Sequence, residues 1–120
     1  MPRRISFSLT EPQLLDGSKD VTRRLGWAEL REGDVLVAVR KAMGLRRGER
    51  QVVLGTLRVG RVSRERLETI TADDVRREGF PDMTPQGFID MFCAANACSG
   101  TAQVTRIEFT FRKGTDIPHG

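Results

Sequence analysis

The sequence predicts an α+β domain: five or six mostly antiparallel strands forming a small β-barrel, with about three short helices. Three observations predict it. Segments near both ends of the chain, RRISFSL and QVTRIEFTFRK, alternate polar and apolar residues with the period of a half-buried strand. Between them, the stretch Gln51 to Ser63 contains Gly55 and Gly60, which mark bends or bulges in a strand. The helical segments open with threonine, whose hydroxyl accepts a backbone N–H that a helix start leaves unpaired.

Taken in order, residues 3–9 form the first strand, with Ile5, Phe7 and Leu9 on one face. Thr10 opens a helix. Gln13, three residues on, completes a capping-box pattern, Pro12 suits the first turn, and Gly17 suits the stop. Leu14 and Leu15 are expected to face inward. Residues 20–25 read as extended and Trp27–Leu30 as a short turn. Arg31-Glu32-Gly33-Asp34 turns the chain into DVLVAVR, a strand with Val35, Val37 and Val39 on one face. Residues 42–50, AMGLRRGER, are a basic loop leading to the long strand. Thr71 starts the helix of ITADDVRREG, with Asp74 in the capping position and Gly79 as its end. After the connector FPDM, Thr84 caps a helix with Pro85 in its first turn and Phe88, Ile89, Met91 and Phe92 on its apolar side. The last strand turns Val104, Ile107, Phe109 and Phe111 inward, with Ile107 slightly out of phase, and 113–120 is expected to be a flexible tail.

With 120 residues the chain suits one domain, 1–120, large enough to bury a core without disulfide staples. No apolar run reaches the ~18 residues of a membrane helix. MPRRISFSLT lacks the apolar stretch of a secretory signal, so a cytoplasmic location is expected, with no membrane partner. Cys93 and Cys98 do not have Cys-x-x-Cys spacing, and His119 is the single histidine. A catalytic zinc wants three protein ligands, mostly His and Cys, so this supply does not suit one; no metal or other cofactor is expected.

Net charge is +4 and unevenly distributed. From Arg40 to Arg66, nine basic residues face only Glu49 and Glu65, whereas from Leu67 to Phe92 six acids face Arg76 and Arg77. Such a basic stretch attracts phosphates, with Arg46, Arg47 and Arg50 as candidate RNA contacts, or it is simply a solvated face; both readings stand. Trp27 suits either stacking on a base or packing over one end of the sheet. Arg40 and Lys41, ending the third strand, are candidates for the same cleft as Arg24.

The chemistry concentrates in DGSKDVTRR. On a strand, Thr22 and Arg24 point one way and Val21 and Arg23 the other. Lys19 joins Thr22 only if the Gly17-Ser18 turn rotates the chain, which glycine permits. The run Gly17-x-Lys19-x-x-Thr22-x-Arg24, the Gly33-Asp34-Val35-Leu36 turn into a strand and the ITADDVRREGF helix together resemble the ASCH family, small relatives of the PUA-like RNA-binding barrels, over residues 3–112. The family signature is Gly-x-Lys-x-x-Glu-x-Arg, so Thr22 is a departure. Threonine there is similar to a subgroup of small bacterial ASCH proteins that remove the acetyl group from N4-acetylcytidine. The resemblance implies a lysine at Lys19, a threonine nucleophile at Thr22 and a glutamate at Glu78, acting on a modified nucleoside or RNA. A threonine hydroxyl attacks only when a base takes its proton. Lys19 can do so only as the neutral amine, which burial and nearby arginines favour; Glu78 then serves as acid–base partner. Taken singly, Thr22 also suits a β-branched strand residue, Lys19 a solvated turn residue and Glu78 an exposed helix charge. The alternatives are a non-catalytic PUA-like module that holds RNA through Arg40 to Arg66 with the cleft recognising a base, and a ribonuclease, less favoured without a histidine pair. Oligomeric state is not legible in the sequence.

Overall fold

The structure, a computed structural model, describes residues 3–41 and 45–114. The elements are β1 (Arg4–Ser6), α1 (Glu11–Asp16), β2 (Val21–Arg24), β3 (Val35–Val39), β4 (Val53–Arg66), a 3₁₀ turn (Leu67–Thr69), α2 (Ala72–Arg77), α3 (Pro85–Asn96) and β5 (Gln103–Lys113). One five-stranded sheet runs in the order β1-β3-β4-β5-β2. The β1–β3 pair is parallel and the other three are antiparallel. The expected α+β class, strand number and helix number all hold.

Closure into a barrel does not. Among the described residues no ladder joins the edge strands β1 and β2. The cause is local: β1 stops at Ser6, because the chain turns there, with Thr10 N–H donating to the Phe7 carbonyl at 3.2 Å. Leu9, expected on the strand's inner face, is consequently exposed. A side chain spans the open edge instead, Arg24 Nη2 donating to the Ser6 carbonyl at 2.7 Å.

β4 is the spine, pairing with β3 through its first half and with β5 along nearly its whole length. Both glycines sit where register shifts occur. Gly55 lies beside the β3 irregularity at Ala38/Val39, and Gly60 lies between Val59 and Val62, where the β5 register slips. A Cβ at Gly55 would lie 2.2 Å from the Arg112 carbonyl oxygen, so only glycine fits that crossing.

Bending β4 lets the sheet serve two cores. The larger packs Ile5, Phe7, Leu14, Leu36, Leu57, Ile107 and Phe109. The smaller packs Leu67, Ile70, Val75, Phe88, Phe92 and Val104 under α2 and α3. The phase slip between Val104 and Ile107 follows: they lie on opposite faces of β5, one in each core. Val35–Val39 is covered on both faces, so the alternation expected there is blurred.

Helix caps divide. Thr71 and Thr84 accept from the N–H of Asp74 and Gly87, as their positions predict. Thr10 makes no side-chain cap bond, and the expected capping box with Gln13 is absent because Thr10 is not in the extended conformation that aims its hydroxyl down the helix. Leu15 turns outward while Leu14 is fully buried. Asp74, expected as a capping residue, uses its carboxylate on Arg23 and Arg106. His119 and 115–120 of the expected tail lie outside the described residues, as does 42–44 of the basic loop.

Candidate active site

A glycine turn and two backbone hydrogen bonds bring α1, β2 and α2 to one place. Gly17 ends α1 at φ 84°, a left-handed conformation that turns the chain back. Lys19 N–H then donates to the Gln13 carbonyl at 3.1 Å, and Asp20 N–H to the Arg77 carbonyl at 3.0 Å. The second bond ties the start of β2 to the last turn of α2. Gly79 makes this approach tight: its φ is 103°, and an added Cβ would stand 2.8 Å from Gln13 Cβ.

The result is a cavity of about 250 Å³ whose polar wall includes Lys19, Thr22, Arg24 and Glu78. Lys19, Thr22 and Glu78 are only 4%, 2% and 2% exposed. Lys19 Nζ donates to Glu78 Oε1 at 2.8 Å and to the Glu78 carbonyl at 3.0 Å. The second Glu78 oxygen, Oε2, accepts from Arg23 Nη1 at 3.1 Å. Thr22 Oγ1 accepts from Arg24 Nε at 3.0 Å, and no hydrogen bond joins it to Lys19 or Glu78. Phe7, Phe80, Phe88, Met91 and Phe92 supply the apolar wall. Arg24 also lies over the Phe7 ring, its guanidinium carbon 4.9 Å from the ring centre.

Electrostatics follow from this burial. Desolvation pulls the Lys19 ammonium below the ordinary lysine range; the Glu78 charge and hydrogen bond oppose that pull, and Arg24 and Arg23 add to it. Burial also brings Arg24 down to about 10, with Glu78 offsetting part of the effect. The site therefore holds a lysine whose neutral form is more accessible than usual, beside a hydroxyl already accepting from a cation.

Four of the sequence-predicted residues meet here: Lys19, Thr22, Glu78 and Arg24. The others stand elsewhere. Trp27 adopts φ 56° in the turn after β2, packs against the larger core and carries the Arg3 guanidinium on its ring at 3.8 Å. Arg40 pairs with Glu11 at 2.7 Å on the surface, and Lys41 lies 3.8 Å from Glu49. Neither lines the cavity, although β3 ends beside Ser6; Arg40 turns to Glu11 and Lys41 toward Glu49 instead. Arg46, Arg47 and Arg50 are exposed in the loop before β4. The sequence reading missed Arg23 as a partner of Glu78, and the aromatic wall from α3, which it took as core alone. The signal for Arg23 was the acid-rich 67–92 segment: its carboxylates need cations, and β2 supplies them.

No family model and no curated protein matches this chain. Solved structures do. Protein EF3133 from Enterococcus faecalis V583, of family DUF984, superposes with a TM-score of 0.67 at 13% identity, covering 100% of this chain and 86% of its own. An ASCH domain from Lactobacillus crispatus JV V101 gives 0.60 at 14% identity, covering 91% and 78%. This chain has an ASCH-like fold. A mutant of the ZmASCH protein from Zymomonas mobilis agrees, with a TM-score of 0.59 at 16% identity over 89% of this chain and 66% of that one. The ASCH-like chain contains, among its described residues, no helix long and apolar enough to cross a membrane.

Proposed function

We propose that the cavity is the active site of an amidohydrolase that removes the acyl group from a modified cytidine such as N4-acetylcytidine. The observation that carries the reading is the buried Lys19–Glu78 pair, bonded at 2.8 Å, sharing one cavity with the Thr22 hydroxyl. Buried ion pairs contribute little to stability compared with apolar packing, so one that opens into a cavity beside a nucleophile suits chemistry.

In the proposed reaction Thr22 Oγ attacks the acyl carbonyl, and its proton passes to the Lys19–Glu78 pair, directly or through one water. Arg24 Nε, already bonded to Oγ1, favours the developing alkoxide. Collapse of the tetrahedral intermediate breaks the C–N bond, and the departing cytosine amine takes the proton from the pair. Water, deprotonated by the same pair, then attacks the acyl-threonine ester, releasing the carboxylic acid and restoring Thr22. The aromatic wall suits a planar base. The test is release of cytidine from N4-acetylcytidine by the purified protein. Thr22→Ala, Lys19→Ala and Glu78→Ala are each expected to lose about 10²-fold or more. No release by the wild type, or a Thr22→Ala protein as fast as wild type, refutes the proposal.

A non-catalytic RNA-binding module is favoured by one observation, the exposed Arg46, Arg47 and Arg50 in a single loop. That reading requires RNA affinity that falls steeply with salt, whereas hydrolysis of a free nucleoside does not.

A further inference from the structure

We infer that Arg23 is a positioning residue: its guanidinium holds the Glu78 carboxylate so that Oε1 meets Lys19, and Asp74 and Glu65 fix that guanidinium from behind. The inference rests on reading the cavity as an amidohydrolase site and adds a residue to it.

Strand alternation puts Arg23 on the face of β2 opposite Thr22 and Arg24. Its side chain is 1% exposed, and every hydrogen bond it makes goes to a carboxylate. Nη1 reaches Glu78 Oε2 at 3.1 Å, and Nη2 reaches Asp74 Oδ2 at 2.5 Å and Glu65 Oε1 at 2.6 Å. Asp74 is held in turn by a two-point contact, Arg106 Nε to Oδ2 at 2.7 Å and Nη2 to Oδ1 at 3.1 Å. Arg106 also contacts Glu108 from the same strand.

This chain of contacts solves a geometric problem. Glu78 sits at the C-cap of α2, where no further helical turn packs against it, and the last torsion of a glutamate is soft. One bond to Lys19 would leave the carboxylate free to swing. The second bond, to Arg23, fixes its plane. A guanidinium fork can span Glu78 and Asp74 together; an ammonium is a point charge and cannot hold both with the same geometry. Arg23 also works through charge. The ionisable groups facing Lys19 are Glu78, Arg24 and Arg23, and removing the Arg23 cation leaves the Glu78 charge less balanced at the amine.

The experiment compares Arg23→Gln and Arg23→Lys with wild type, reading two quantities. One is the pH titration of Lys19 in protein labelled at lysine, which has three lysines, Lys19 being assigned by its loss in Lys19→Arg. The other is hydrolysis of N4-acetylcytidine. In Arg23→Gln the Lys19 midpoint is expected to move upward, and kcat to fall about 10²-fold with KM nearly unchanged. Arg23→Lys is expected to return the midpoint toward wild type and to recover kcat in part. Wild-type kcat and a wild-type Lys19 midpoint in Arg23→Gln overturn the inference. If Arg23→Gln does not fold, Arg23→Lys decides: reduced kcat at unchanged KM supports it, and wild-type kcat overturns it. If the wild type has no activity on this nucleoside, the amidohydrolase reading fails by itself. The Lys19 midpoint in Arg23→Gln, or in Arg23→Met where the glutamine variant does not fold, then decides whether Arg23 acts on the pair: an upward displacement from the wild-type value supports it, and an unchanged midpoint overturns it.

Discussion

Replacing Glu78 by glutamine tests the electrostatics of the cavity without an assay for its substrate. The carboxylate accepts from Lys19 at 2.8 Å and Arg23 at 3.1 Å, with side chains 3% and 1% exposed. Removing one member of a buried ion pair costs about 3–5 kcal/mol, because the partner charge is left uncompensated. For a domain of this size that lowers Tm by roughly 10–20 °C. The glutamine carbonyl can still accept one bond, and Asp74 and Glu65 still hold Arg23, so the lower end is expected at neutral pH. Burial already depresses Lys19 in the folded state, and Glu78 is the leading group opposing that. Without it the folded pKa falls further below the unfolded value of 10.5. Between those two values the unfolded chain binds more protons, so the stability of the variant rises with pH. Urea denaturation at neutral and at alkaline pH therefore yields a deficit that shrinks as pH rises. A Glu78→Gln protein within about 0.5 kcal/mol of wild type at neutral pH, or a deficit that grows with pH, refutes this reasoning.

Three further outcomes are expected. Asp74 is held well below the usual carboxylate range, chiefly by its hydrogen bonds to Arg106 and then by Arg23, against desolvation. Its contribution is complete above the unfolded value of 3.8 and lost as pH falls through the depressed folded value, so Asp74→Asn should be less stable at neutral pH and flatten the acid limb of a denaturation profile. Gly79→Ala places a Cβ 2.8 Å from Gln13 at a positive φ; a loss of about 1–3 kcal/mol by thermal melt is expected, and, if the cavity hydrolyses the nucleoside, that activity falls as α2 moves off Lys19. If the loop before β4 binds RNA, replacing Arg46 and Arg47 by glutamine lowers the salt slope of binding by about two, measured by titration at several ionic strengths.

How much of this was legible in the sequence depends on whether a feature is set by neighbours in the chain or in space. β5 was read end to end, Gln103–Lys113, because alternation is a local signal, and the caps of α2 and α3 at Thr71 and Thr84 were read from their side chains. The end of β1 at Ser6 was not: Leu9 continues the alternation, but the turn that removes it from the sheet depends on where α1 packs. Barrel closure failed for the same reason, since it requires two edge strands to meet and neither strand encodes the other. The site divides in the same way. Lys19, Thr22 and Arg24 fall within six residues, and the glycine turn at Gly17 brings the lysine round to the threonine's side. Glu78 lies fifty-nine residues from Lys19, and only the resemblance to a family pointed at it. Arg23 escaped because its identity as a partner is held by Asp74, Glu65 and Glu78, which sequence alone presents as helix and strand surface charge. A one-residue slip in β2, or a two-residue shift in α2, would turn these groups to the wrong face. The register of β2 on β5, Thr22 opposite Ile107 and Arg23 opposite Arg106, therefore decides both the face that carries Thr22 and the ion network on the other.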